Sequence, residues 1–117
     1  MQEIKIEKPW GYEIIWAKTD KYVGKILHIN SGKKLSLQYH EKKTETVYVK
    51  EGVLEIILKA NDILYTQILF SGQSYHITPG TIHRFCCGKD CEFVEIVEVS
   101  TPELEDVIRL EDDFGRV

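Results

Sequence analysis

The stretch GKKLSLQYHEKKTETVYVKEG, residues 32–52, holds two runs of strand composition between two glycines. Within Leu35–His40, alternate side chains of a strand point to opposite faces, so Gln38 and His40 share one face. Residues 41–44 have the composition of a loop, and a hairpin there would bring Glu45 back beside His40. Glycine accepts the positive φ that strand ends often require. We therefore expect an imidazole and a carboxylate to converge at the ends of two strands.

A second histidine follows a turn later in the chain. In ITPGTIHRF, the Pro79–Gly80 turn precedes His83 at the start of a predicted strand, where a side chain can face inward. A single histidine on a strand is more often hydrogen-bonded or exposed than a ligand, so the prediction depends on the combination. Two imidazoles, a carboxylate and an amide oxygen suit Zn, Mn, Fe or Ni and leave coordination positions open for substrate.

We therefore predict one divalent metal ion, and the predicted ligands are Gln38, His40, Glu45 and His83. A carboxamide binds metal through oxygen more weakly than imidazole does. Gln38 is accordingly either a fourth ligand or a residue that orients one.

The rest of the chain is rich in short β-prone runs with Gly, Asn, Asp, Ser or Pro near most breaks, which is typical of an all-β sandwich or barrel. Residues 1–117 have the length of one domain, and the final residues are expected to form an irregular tail. Thr101–Glu103 could open a helical turn. The nine predicted strands are Tyr12–Trp16, Tyr22–Ile29, Leu35–His40, Glu45–Lys50, Val53–Lys59, Ile63–Phe70, Tyr75–Thr78, His83–Cys87 and Phe93–Val99.

Composition excludes several classes of function. The net charge is −4 and no continuous basic stripe occurs, which disfavours nucleic-acid binding. No apolar run approaches twenty residues and no signal-like segment is present, so we expect a cytoplasmic protein without a membrane partner. Three cysteines within one short segment, without a CxxC pair, indicate reduced thiols rather than a disulfide framework.

Three separated motifs carry a resemblance to a known family. KPWGYE at 8–13, GKKLSLQYH at 32–40 and EDDFGR at 111–116 stand in the order found in one group of cupins. The chain resembles the C-terminal isomerase domain of type II mannose-6-phosphate isomerases, which usually also carry a guanylyltransferase domain. This resemblance spans nearly the whole chain and implies a double-stranded β-helix, or jelly-roll barrel, as a stand-alone cupin. No match to the guanylyltransferase domain is present, so nucleotide transfer is not expected.

The resemblance also implies residue roles. It implies a metal ion at the four predicted ligands. The family itself already has glutamine at the position of Gln38. Basic residues that bind a sugar phosphate are implied at Lys25, Arg84, Arg109 and Arg116. By strand parity, Arg84 should point away from His83, whereas the parity of Lys25 does not decide between inside and outside.

The chain departs from the family between the histidine and the glutamate. The family usually has two more histidines and an arginine there, and this chain has Glu41, Lys42 and Lys43. Lys43 keeps the charge but lacks the planar fork of arginine. Candidates for the proton-transfer base are Glu41, Lys43 and His28.

The predicted activity is metal-dependent interconversion of an aldose phosphate and its ketose, of the mannose 6-phosphate and fructose 6-phosphate type. The alternatives are an Fe(II)-dependent oxygenase and a cupin that binds metal and sugar without turnover. We also expect a homodimer, through barrel faces or exchanged N-terminal strands. The predicted barrel face is an apolar outer surface made by Leu35, Leu37, Tyr39, Val47 and Val49.

Overall fold

A computed structural model describes residues 2–117 as eleven strands in two antiparallel sheets. The six-stranded sheet has the order β1-β2-β3-β10-β5-β8, and the five-stranded sheet has the order β11-β4-β9-β6-β7. The strands are β1 (Ile4–Lys8), β2 (Gly11–Lys18), β3 (Val23–Asn30), β4 (Leu37–Tyr39), β5 (Glu45–Glu51), β6 (Leu54–Ala60), β7 (Ile63–Leu69), β8 (Ser74–Ile77), β9 (Ile82–Cys86), β10 (Phe93–Ser100) and β11 (Ile108–Glu111).

The chain after β3 crosses repeatedly between the sheets. From β3 onward, β4, β6, β7, β9 and β11 enter the five-stranded sheet, while β5, β8 and β10 enter the other. This alternation is the winding of a double-stranded β-helix, as the sequence predicts. Inward-facing residues of both sheets form one apolar core that fills the space between them. The fully buried members include Ile29, Val47, Leu54, Ile56 and Ile96.

All nine predicted strands are present, with altered bounds. Leu35–His40 is shortened to β4, and two strands were not predicted, β1 and β11. The predicted irregular tail therefore contains a strand, since β11 pairs with β4, and Thr101–Glu103 forms a bend rather than a helical turn. Residues 2–117 contain no helix of the length and apolar character needed to cross a membrane.

The predicted apolar outer face is wrong. Val47 and Val49 are completely buried in the core, and Leu37 is buried as well. The reason is strand parity, because Val47 and Val49 lie two and four residues after Glu45 and must share its inward face. A carboxylate that points into the barrel therefore brings the two valines inward with it.

Candidate metal centre

Three elements bring the two histidines and the glutamate together at one end of the barrel. His40 follows β4, Glu45 begins β5, and His83 is the second residue of β9. The predicted hairpin is wrong, because β4 pairs with β9 and β11 while β5 pairs with β8 and β10 in the other sheet. The segment 41–44 instead crosses between the sheets, and this crossing still places His40 beside Glu45.

The carboxylate of Glu45 lies between the two imidazoles. Oε1 of Glu45 is 3.4 Å from Nε2 of His40 and 3.3 Å from Nε2 of His83. One potential ligand atom from each residue lies within 4.8 Å of the others, and all three residues are buried. The spacing is close to that of ligands around a single ion.

The outer nitrogens of both imidazoles contact backbone carbonyls. Nδ1 of His40 contacts the carbonyl oxygen of Asp106, and Nδ1 of His83 lies 2.8 Å from that of Thr81. These contacts favour the tautomer in which Nδ1 donates and Nε2 keeps its lone pair, the arrangement common in metal-binding histidines. Nε2 of His40 is buried without a hydrogen-bond partner. A buried acceptor with no partner is the observation that fits a cation among these three residues.

Electrostatics keeps the Glu45 carboxylate ready to bind a cation. Burial disfavours its charged form, but contacts with His40, His83 and Lys43 outweigh burial and hold the pKa of Glu45 well below its usual range. Burial also disfavours the charged form of His40 and so acts to lower its pKa. The adjacent carboxylate of Glu45 outweighs burial, and the pKa of His40 is raised in the absence of an ion.

Gln38 lies on the same face as His83. The two residues are directly opposite in the β4–β9 ladder, and Gln38 lines a cavity beside the cluster. Its amide nitrogen donates to Oγ of the buried Ser36 at 2.9 Å. This hydrogen bond uses the donor side of the amide, so the carbonyl oxygen is the atom left to face the cavity.

Lys43 and Glu98 continue the buried polar group beyond Glu45. Nζ of Lys43 lies 3.2 Å from Oε2 of Glu45, at ion-pair distance without hydrogen-bond alignment, and 3.4 Å from Oε2 of Glu98. Both Lys43 and Glu98 are buried. Burial, together with the nearby charge of Glu45, raises the pKa of Glu98 to about 7. Burial disfavours a charged Lys43, yet the two glutamates raise its pKa.

A cavity of about 140 Å³ opens beside this cluster. Its lining mixes five lysine and arginine side chains with three glutamates and six apolar side chains, which is the character of a small polar ligand site. The residues that line it are Lys8, Trp10, Glu13, Lys25, Leu27, Leu35, Ser36, Gln38, His40, Lys43, Glu45, Phe85, Glu98, Leu104, Val107, Arg109 and Arg116.

Three of the four predicted basic residues line the cavity. Lys25 shares the inward parity of Leu27, and its Nζ lies 3.2 Å from Oε2 of Glu13. Arg109 lies opposite Gln38 in the β11–β4 ladder, and its Nε is buried without a hydrogen-bond partner. Arg116 binds Asp112 through Nε and Nη2, each at 2.9 Å.

Two predicted site residues lie elsewhere. Arg84 is buried on the opposite face of β9, as its parity predicted, and donates to the carbonyl oxygens of Leu35 and Glu111. It holds the C-terminal segment against the sheet and does not line the cavity. The side chain of Glu41 is exposed and also outside the cavity lining.

Several site residues were missed from the sequence. Glu98 has a readable signal, since it follows Val94 and Ile96 at two-residue spacing on the inward face of β10. Asp106 has none, because it lies in the segment between β10 and β11. Its carboxylate accepts hydrogen bonds from the backbone N–H groups of residues 41, 42 and 43, which fixes the crossing segment.

Comparison with known proteins identifies the family and the fold of the chain. A family model described as "Mannose-6-phosphate isomerase C-terminal" matches residues 1–112. The chain is 30% identical over 114 residues to the xanthan biosynthesis protein XanB of Xanthomonas campestris, covering 96% of this chain and 24% of that protein. It is also 30% identical over 118 residues to the mannose-1-phosphate guanylyltransferase ManC of Salmonella typhimurium, covering 97% and 23%.

The chain thus spans about a quarter of the length of the curated relatives it matches. Among solved structures, KdgF from Halomonas sp. superimposes with a TM-score of 0.73 at 17% identity, covering 91% of this chain and 92% of that one. At this level of identity the likeness concerns the fold alone.

Proposed function

The chain belongs to the mannose-6-phosphate isomerase C-terminal family, and on this premise we propose that it is a metal-dependent sugar-phosphate isomerase. The proposed reaction interconverts an aldose phosphate and its ketose, with mannose 6-phosphate and fructose 6-phosphate as the first pair to test. The observation that carries the proposal is the buried cluster of His40, Glu45 and His83 beside a cavity lined by basic side chains.

The proposed metal ligands are His40, Glu45 and His83, with the amide oxygen of Gln38 as a possible fourth donor. The donor set suits Zn, Mn, Fe or Ni. When bound, such an ion would polarise the carbonyl and hydroxyl oxygens of a sugar. Nδ1 of each histidine contacts one backbone carbonyl, that of Asp106 for His40 and that of Thr81 for His83. These contacts support metal binding, because they orient both Nε2 atoms toward Glu45.

Arg109 is the best candidate for the phosphate contact. Its Nε is buried and unpaired, and guanidinium groups bind phosphate oxygens through two parallel hydrogen bonds. Lys25 is a second candidate, with a side chain that is 12% exposed and already paired with Glu13. Arg116 is less available because Asp112 binds its guanidinium at two positions.

Isomerisation requires that a proton move between adjacent carbon atoms of the sugar. Lys43 and Glu98 form the proposed pair for this step, since both side chains are buried and both line the cavity. Glu41 is left out of the proposed catalytic group, because its side chain is exposed.

The test is hydrogen exchange at the sugar. Metal-loaded protein is incubated with mannose 6-phosphate in deuterium oxide, and the C2 hydrogen and the appearance of fructose 6-phosphate are followed by NMR. We expect exchange and product with the loaded protein and neither after chelation. If protein loaded with each of the four metals gives neither fructose 6-phosphate nor exchange of the C2 hydrogen, the isomerase proposal fails.

A cupin that binds metal and sugar phosphate without turnover is the second candidate. It is favoured by the ion pairs of Lys43 with Glu45 and Glu98. A charged lysine has no free lone pair and therefore cannot accept a proton from the sugar. This candidate predicts that calorimetry detects mannose 6-phosphate binding to the loaded protein while the C2 hydrogen stays in place. Oxygen uptake by the iron-loaded protein would instead favour an oxygenase, since two histidines and a carboxylate can also serve that chemistry.

A further inference from the structure

Strand β7 exposes large apolar side chains along nearly its whole length. Ile63, Leu64, Tyr65, Ile68 and the following Phe70 are each between 41% and 66% exposed. Exposed apolar residues are common when scattered, but a contiguous group on one element marks a contact surface. β7 is also the edge of the five-stranded sheet, so one side of its backbone has no strand partner among the described residues.

The other three sheet edges in residues 2–117 are protected against strand pairing. β1 carries Lys5, Glu7 and Lys8, and β11 carries Arg109 and Glu111. β8 is only four residues long. Charges and short length are the usual means by which edge strands avoid each other.

β7, in contrast, has seven residues and no charged side chain. Its hairpin with β6 closes through the two residues Asn61 and Asp62, both with positive φ, as in a type I′ turn. The tight turn leaves the open side of β7 unobstructed.

We propose that β7 pairs with β7 of a second copy of this chain, antiparallel and centred on Thr66, to form a dimer with one continuous sheet. This goes beyond the proposed function and places the contact away from the cavity. In this register Leu64 lies opposite Ile68 of the other copy, and Thr66 lies opposite itself. Apolar residues thus meet apolar residues on both sides of the two-fold axis.

Charge favours the same arrangement. On the outer face of the hairpin, Lys59 lies opposite Leu64 and Glu55 lies opposite Ile68. In the paired sheet, each row of residues therefore consists of Lys59 and Leu64 of one copy followed by Ile68 and Glu55 of the other copy. Each row has opposite charges at its two ends and no charge at the contact, so two copies meet without like-charge repulsion.

The exposed apolar area fits a weak association. Even an aromatic side chain buries only roughly 150–250 Å² when fully covered, so five side chains that are about half exposed contribute on the order of 500 Å² per copy at most. This area lies below the ~800 Å² per partner of stable interfaces. The expected dimer is therefore one that dissociates on dilution.

The first test measures mass by sedimentation across a wide range of protein concentration. We expect about twice the 13.6 kDa chain mass for the wild type at high concentration, and the chain mass for Thr66→Lys, which places two lysines face to face. The matched control is Val99→Lys, at a 49% exposed position on a strand interior to the other sheet, which should remain dimeric. A wild type that stays monomeric, or a Thr66→Lys dimer, overturns the proposal.

The second test uses cysteine pairing and does not depend on how a lysine is tolerated. Residues directly opposite in an antiparallel pair have Cβ atoms about 5 Å apart, close to disulfide range, so Thr66→Cys should cross-link two copies with oxidised glutathione as oxidant. Ile63→Cys is the control, because its two copies would lie roughly 20 Å apart in this register. The wild type, with its own Cys86, Cys87 and Cys91, reports background cross-linking. Equal cross-linking of the two variants would refute the register.

Discussion

The cavity and strand β7 are both unusual, because the cavity buries charged side chains and β7 exposes apolar ones. In the cavity, the charged residues Lys43, Glu45 and Glu98 are each at most 5% exposed, whereas on β7 the apolar Ile63 is 66% exposed. Charged side chains are rarely buried without a partner, and contiguous apolar side chains are rarely left uncovered. Each region therefore carries a cost in the isolated chain.

The two costs point to different kinds of ligand. Buried charges around a small cavity are relieved by a cation and an anion of matching size. An uncovered apolar edge with a free row of backbone groups is relieved by another strand. This difference supports the two proposals, a small-molecule site at one end of the barrel and a contact between copies at one edge of the sheet.

The largest expected effect is the loss of metal from the cavity. The double change His40→Ala and His83→Ala removes two of three strong ligands and should leave almost no metal after dialysis. Each single change should weaken binding by more than the roughly 10- to 100-fold that loss of an outer-shell partner costs. Glu45→Gln should be intermediate and Gln38→Ala least affected. Elemental analysis of the dialysed proteins measures the metal content.

His76→Ala is the matched control for that experiment. His76 is exposed, contacts Oγ1 of Thr46 and does not line the cavity, so its removal should leave metal content unchanged. Equal metal content in the wild type and the His40/His83 double variant would refute the site and leave the buried Nε2 of His40 unexplained.

The second effect tests whether the buried charges depend on one another. Lys43→Met keeps the length of the side chain but leaves the carboxylates of Glu45 and Glu98 facing each other. Removing one partner of a buried ion pair typically costs about 3–5 kcal/mol. We expect a loss of this size in the free energy of unfolding, measured by urea denaturation with chelator present. The added change Glu98→Gln should recover part of it.

Lys50→Met provides the comparison, because Lys50 pairs with Glu95 at 2.9 Å but is exposed. Exposed ion pairs contribute little to stability, so this variant should unfold close to the wild type. If Lys43→Met and Lys50→Met unfold alike, the cavity charges are solvated rather than mutually dependent.

The sequence predicted the inward faces of Gln38, His40 and His83 because alternation along a strand is a local property, whereas the approach of Glu45 to His40 was predicted from a hairpin that does not form. Parity placed Gln38 with His40, and the turn at Pro79–Gly80 correctly placed His83 on the inward face of β9. Glu98 could have been predicted by the same rule, since it continues the inward face of Val94 and Ile96.

The remaining features depend on contacts between distant segments. The hairpin prediction for 41–44 was wrong, because nothing local indicates that β4 and β5 enter different sheets. The role of Asp106 arises only when the segment before β11 packs on that crossing. Likewise, the exposure of β7 depends on its position at the edge of the five-stranded sheet, which its apolar composition does not reveal.

A smaller effect is expected for ligand binding at Arg109. Arg109→Met removes a guanidinium whose Nε is buried and unpaired, so affinity of the loaded protein for mannose 6-phosphate should fall. Hydrogen bonds to charged groups contribute about 1.5–3 kcal/mol, which corresponds to a loss of tenfold or more. Calorimetry measures the affinity, and Arg109→Lys should fall between the wild type and Arg109→Met.

Arg84→Met, which removes the same charge as Arg109→Met, separates this effect from charge in general. Arg84 is on the opposite face of the sheet, so its replacement should lower stability without changing the affinity of the folded protein. An equal loss of affinity in both variants would mean that long-range charge, rather than a contact in the cavity, attracts the phosphate.

The smallest effect concerns the cavity rim, where Asp112 holds Arg116. The carboxylate of Asp112 accepts three hydrogen bonds from Arg116, and these contacts lower its pKa to about 2 from the ordinary value of 3.8. A lowered pKa stabilises the folded protein above pH 3.8, and this contribution is lost as the pH falls toward 2. Asp112→Asn should therefore cost about 1–2 kcal/mol near neutral pH, and the difference from the wild type should shrink between these two values. Urea denaturation at a series of pH values measures this, with the more exposed Asp113→Asn as control. A difference that persists unchanged at pH 2 would show that the rim is stabilised by packing rather than by this ion pair.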